Sequence, residues 1–114
     1  MKLIHHKNLD QKKWFSSSIL YQMANIGSEV FRTLSWRDKG NKAYSDLAFE
    51  RALELTDLTM DDPKNIHRLR EITRAREMLV DWHSQQKINK SDDNFWQNYF
   101  SQFTYAARLE EGKI

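Results

Sequence analysis

A single proline, Pro63, interrupts 114 residues, and the tripeptide it completes, Asp61-Asp62-Pro63, limits the fold more than any other stretch. Proline has a fixed φ and no backbone N–H, so it suits the first turn of a helix and no later one. Asp62, just before it, is placed to accept hydrogen bonds from the free amides of that turn. The tripeptide therefore predicts one helix ending and another beginning within a few residues. Only three glycines accompany the proline. With so few breakers the chain should form long helices joined by short connections, which set neighbouring helices antiparallel.

Helical spacing supports four segments, about 10–36, 42–60, 63–85 and 94–111, after a lead-in over residues 1–10. In the first, Ile19, Leu20, Met23, Ile26, Gly27, Val30, Phe31 and Leu34 share one arc, with Gln22, Asn25, Glu29 and Arg32 opposite. Gly27 inside that arc implies close approach of another helix. Asp10 is its expected N-cap. The second segment is apolar on two sides: Tyr44, Leu47, Ala48, Leu55 and Leu58 on one, Phe49, Leu53 and Met60 roughly opposite. Such a helix touches neighbours on both sides, within a bundle or across an oligomer. The fourth presents Phe95, Trp96, Tyr99, Phe100, Phe103, Ala106 and Ala107 as one broad wall, with Asp92 or Asp93 as its cap. Core packing explains that wall better than base stacking. The expectation is an all-α fold, an antiparallel four-helix bundle formed as a single helical domain over 1–114.

Composition removes several function classes. Cysteine is absent, which excludes disulfides, thiolate catalysis and cysteine-based zinc sites. No apolar run approaches the roughly 18 residues of a membrane span, and the basic start has no signal-peptide core. A cytoplasmic protein with no membrane partner is implied. His5 and His6 are adjacent and so face different ways on a helix, and no metal is expected there. Lys and Arg number 18 against 16 Asp and Glu, which gives nucleic acid only weak support as a partner. There is no Glu-x-x-His pair, no HExxH, no glycine-rich phosphate loop and no G-x-S-x-G around Ser16–Ser18. No cofactor is expected.

The hairpin from Tyr44 to His83 carries the remaining signal. Its first arm, 43–62, holds six acids and one base, Arg51; residues 64–76 hold Lys64, Arg68, Arg70, Arg74 and Arg76 against one acid, Glu71. Arg76 projects among Leu69, Ile72, Leu79 and Val80, and His83 lies two turns further in nearly the same direction. Two readings are open. In one, Arg76 is an internal strut, bidentate on Glu50 or Glu54 of the second helix or Glu29 of the first, and His83 bonds a carbonyl or stacks on an aromatic ring. In the other, the pair acts on RNA. Arg76-x6-His83 resembles the R-x(4–6)-H motif of HEPN-domain ribonucleases, small four-helix proteins. That resemblance implies metal-independent cleavage at a dimer cleft, with Arg76 holding phosphate and His83 moving a proton. The family's polar residue after the arginine is replaced here by Glu77, whose charge opposes phosphate.

Phe49–Leu55 resembles the second helix of a tetratricopeptide repeat, but nothing recurs at that period, so the match implies only an amphipathic helix. The segments 23–30, 48–59, 62–79 and 100–110 resemble a family of small uncharacterised prokaryotic proteins. That resemblance implies one helical domain and a prokaryotic source, and no activity.

The function expected from these features is a non-enzymatic interaction or scaffold protein, self-associating or bound to a protein partner. Trp14, Arg32 and Trp36 lie on the polar side of the first helix, where they either pack under the adjoining segments or form a partner surface. The alternatives are the ribonuclease using Arg76 and His83, and a nucleic-acid accessory protein using Arg68, Arg70 and Arg74.

Overall fold

The computed structural model describes residues 10–85 and 87–112; the lead-in with His5 and His6 lies outside them. Five α-helices succeed one another: α1 (Gln11–Phe15), α2 (Ile19–Asp38), α3 (Lys42–Asp61), α4 (Leu69–Ser84) and α5 (Lys90–Glu110), with a 3-10 turn over Pro63–Arg68. The described residues contain no strand. No helix among them is long and apolar enough to cross a membrane.

The first expected helix is two. Asp10 caps α1 by accepting from Lys12 N. Ser18 then caps α2 by accepting from Tyr21 N. A serine side chain satisfies one of the free amides at a helix start, so the serine run at 16–18 restarts the helix instead of continuing it. Asp62 accepts from Lys64 N with Pro63 in the first turn, as the tripeptide predicts. From Pro63 the chain forms a six-residue 3-10 segment, and α4 begins only at Leu69. Asn89, not Asp92 or Asp93, caps α5, which starts at Lys90.

Helix α2 packs closely against α3 and α5, whereas α4 makes a looser approach to α3. Paired residues run in opposite order along each pair of helices. Ser45 donates to the Thr33 carbonyl near one end of α2–α3, while Gln22 donates to Asp62 at the other. Arg37 meets Asp93 at one end of α2–α5, and Gly27 meets Phe100 near the middle. Asp46 meets His83 and Asp57 meets Arg76 along α3–α4.

The core contains Met23, Ile26, Val30 and Leu34 of α2, Phe49, Leu55 and Leu58 of α3, Ile72, Leu79 and Trp82 of α4, and Trp96, Phe100 and Phe103 of α5. Each such side chain contributes on the order of 1.5–3 kcal/mol by leaving water. Helix α3 buries Ala48, Leu55 and Leu58 from one of its expected apolar sides and Phe49 from the other, with Leu53 and Met60 partly buried against the core and Ser45, Ala52, Thr56 and Thr59 buried beside them. Its small residues bring α3 close to α2. Its hydroxyls are satisfied locally: Thr56 donates to the Ala52 carbonyl and Thr59 to the Leu55 carbonyl. Phe49 is covered by Trp82 and His83 of α4, so that side of α3 is filled within the chain, while Tyr44 and Leu47 stay exposed.

Two polar residues expected to face solvent are inside. Gln22 is fully buried because α1 and the 3-10 turn fold over it. Its amide donates to the Trp14 carbonyl and to Asp62, both at 2.9 Å, and its oxygen accepts from Asn65 at 2.8 Å. Glu29 is also buried; Arg32 holds one oxygen at 2.7 Å and the other is without a partner.

Candidate functional site

Arg76 and His83 both reach α3, but not the carboxylates expected. Arg76 Nε donates to Asp57 Oδ1 at 2.7 Å, with a longer second bond of 3.4 Å from Nη2 to Oδ2. The acid it holds is thus Asp57 instead of Glu50, Glu54 or Glu29. The pair is not an internal strut, because the side chains of Arg76 and Asp57 are 33% and 36% exposed. Water screens such a pair, so Arg76→Ala is expected to lower stability by less than about 1 kcal/mol, checked by urea denaturation.

His83 sits deeper. Its ring stacks on Phe49, centroids 4.0 Å apart and planes 12° from parallel, and its Nε2 lies 2.9 Å from Asp46 Oδ1. Lys42 holds the other oxygen of Asp46 at 2.7 Å. Donation from Lys42 first, and from His83 after it, keeps the Asp46 carboxyl below the usual aspartate range.

The residues around His83 line a cleft of about 860 Å³ bounded by the C-terminus of α2, the N-terminus of α3 and the α4–α5 connection. Trp82, Arg37, Lys42 and Lys87 border it. An imidazole oriented by a carboxylate is the arrangement of a general base, which needs a nucleophile within reach. Two serines line the cleft, and both are committed to backbone carbonyls: Ser45 to Thr33 at 2.8 Å, Ser84 to Asp81 at 2.9 Å. Arg76 does not line this cleft, so within one chain the R-x6-H pair faces two separate carboxylates. Among the described residues, no group of three or more His, Asp or Glu is placed to hold a metal ion.

Beside the cleft, Asp93 at the start of α5 ties three helices together. It is buried and accepts from Arg37 at 2.6 and 3.2 Å and from the Trp82 indole at 3.0 Å. Burial raises its pKa, and the bonds from Arg37 and Trp82 outweigh that effect and hold it low.

The surface residues divide unevenly. Trp14 is a core residue, its indole donating to Thr59 at 3.3 Å, so it forms no partner surface. Trp36 is half-buried, edge-on to Tyr44 with Lys39 over its face. Arg32 is exposed but engaged by Glu29. Arg68 is held by Glu71 at 2.9 Å and lies over the Phe103 ring. Tyr99 donates to the other oxygen of Glu71 at 2.7 Å; burial, reinforced by that bond, raises the Tyr99 pKa.

An open apolar surface lies elsewhere, between α4 and α5. Ala75, Met78, Phe95, Trp96 and Tyr99 line a shallow depression of about 400 Å³ edged by Arg70 and Arg74. Met78 is 50% exposed and Phe95 47%. The helical spacing of α5 points to Phe95 as core; the structure places it at the rim, where Trp96 and Tyr99 occupy the inner positions. Comparison of the chain with family models, with curated proteins and with solved structures returned no match.

Proposed function

We propose that the chain is a non-catalytic helical interaction protein of the cytoplasm, built as an antiparallel four-helix bundle, that works by associating with a second copy of itself. The observation that carries this reading is the α4–α5 surface. A methionine and a phenylalanine stand half-exposed side by side over an apolar floor, and such a surface gains free energy when a partner removes it from water. The bundle reading is supported by the opposite residue order along α2–α3, α3–α4 and α2–α5. The oriented histidine supports no reaction as strongly, because the hydroxyls lining its cleft donate to carbonyls instead of to the ring.

Nucleic acid would be drawn to the same face by Arg70 and Arg74, which have no ion-pair partner among the described residues. Glu77 and Asp81 continue the same exposed side of α4 and would repel phosphates, and Arg68 is engaged by Glu71. A protein partner fits better. In analytical ultracentrifugation the weight-average mass should climb from 13.7 kDa toward twice that value as concentration rises. A constant 13.7 kDa across the accessible range would overturn the reading.

A further inference from the structure

The charged groups of α4 sort into two sets. Glu71, Arg76 and His83 are each paired with a side chain elsewhere in the fold: Tyr99, Asp57 and Asp46. Arg70, Arg74, Glu77 and Asp81 are all exposed, and among the described residues none of their charged groups has an ion-pair partner. Spaced by four, three and four residues, these four fall within about 60° of arc, on one ridge facing away from the core. The first half of the ridge is basic and the second half acidic.

That order is its own complement. We infer that this ridge is the seam of a two-fold symmetric dimer in which α4 of one copy lies antiparallel to α4 of the other. The inference rests on the self-association proposed above and specifies its face and register. A two-fold axis meeting the ridge between Ala75 and Arg76 brings Arg70 against Asp81 of the partner subunit, and Arg74 against Glu77 of the partner subunit. Symmetry repeats both pairs, since a two-fold interface is isologous. The four–three–four spacing is that of the seam positions of paired helices, so the four side chains meet in successive layers. A parallel pairing in register would set arginine on arginine and acid on acid, and the ridge therefore selects direction as well as partner. Met78 on one flank and Val80 on the other are 50% and 38% exposed and provide an apolar margin beside the charged layers. Phe95 extends the margin on the Met78 side.

Two double variants of the full chain test whether this ridge is the seam. Arg70→Glu with Arg74→Glu makes the ridge wholly acidic; Glu77→Lys with Asp81→Lys makes it wholly basic. Circular dichroism confirms that each keeps its helices. At a concentration where the wild type sediments as a dimer, each variant alone should sediment at 13.7 kDa, and an equimolar mixture should return to the dimer mass. The wild-type dimer should also dissociate as salt is raised, because the seam is solvent-exposed and screened. A dimeric wild type whose two variants dimerise as well would overturn the inference and leave self-association standing through another face. Variants that are monomeric alone and still monomeric when mixed would overturn the charge pairing along the ridge. A wild type that is monomeric throughout would overturn both readings.

Discussion

Gly27→Val is expected to lower the melting temperature by about 10 °C or more, measured by circular dichroism, with the helical signal retained at low temperature. Gly27 lies midway along α2, where α5 crosses it. A Cβ placed there would stand 2.6 Å from Cβ of Phe100 and 3.0 Å from its Cγ, and Phe100 is fully buried. Overpacking a dense core typically costs about 1–3 kcal/mol, and a branched side chain at so close a crossing belongs at or above the upper end. The loss of a helical glycine returns only about 0.5–1 kcal/mol. For a chain of this length each kcal/mol moves the midpoint by roughly 4 °C or more. The nearest obstacle is a Cβ, which every residue except glycine carries. Shortening Phe100 to alanine should therefore fail to rescue Gly27→Val and should add a cavity cost of its own. A Gly27→Val midpoint within 2 °C of the wild type (about 0.5 kcal/mol on that scale) would contradict the crossing geometry.

Gly27 was legible from sequence because its signal is local: a glycine inside an apolar arc has few uses other than close approach. The Asp62-Pro63 junction was legible for the same reason, as was the apolar stripe of α2. What the sequence hid depends on segments far apart. Gln22 and Glu29 sit opposite that stripe and read as solvent-facing, yet both are buried; α1 and the 3-10 turn close over Gln22, and Asp62, which Gln22 bonds, is forty positions away. Periodicity has no means of showing that a second layer covers a polar face. The partner of Arg76 was misassigned through the turn. A hairpin pivoting at Pro63 would set Arg76 beside Glu50. The observed reversal occupies the whole of Pro63–Arg68, whose Asn65 is held by Gln22 and Thr59, so α4 pairs with α3 only from Leu69 onward and Arg76 arrives at Asp57. The charged ridge of α4 was present in the sequence as four residues at seam spacing. Its meaning needed the structure, which shows the neighbouring charges paired within the chain and these four left out.

Asp93→Asn is expected to cost about 2–4 kcal/mol at neutral pH and much less in acid. Asp93 is the junction of α2, α4 and α5, taking both terminal nitrogens of Arg37 and the Trp82 indole. Breaking a buried pair costs roughly 3–5 kcal/mol when the abandoned charge stays buried. The Arg37 side chain is 26% exposed and recovers some hydration, which lowers the figure. Arg37 Nε is already buried without a partner, and the acceptor left to the guanidinium is Asp38, 3.2 Å from Nη2. The sign of the pKa shift sets the pH dependence. Burial alone would raise the Asp93 pKa, but the bonds from Arg37 and Trp82 bring it below the unfolded value of about 3.9. A depressed carboxyl pKa means that the folded state favours the ionised form. Its contribution is fully present above the unfolded pKa and is lost as pH falls through the folded one. Asp62 acts with the same sign at the opposite end of α2: burial opposes its ionisation, and Lys64 and Gln22 outweigh burial. Wild-type stability should therefore hold level down to about pH 5 and decline below pH 4. Across that decline the unfolded chain takes up a proton at Asp93 that the folded chain holds less readily, so the advantage of the carboxylate over asparagine falls. The difference in urea midpoint between the wild type and Asp93→Asn should accordingly shrink between pH 7 and pH 3, and a difference that stayed constant would show that the charge of Asp93 does not hold the three helices together.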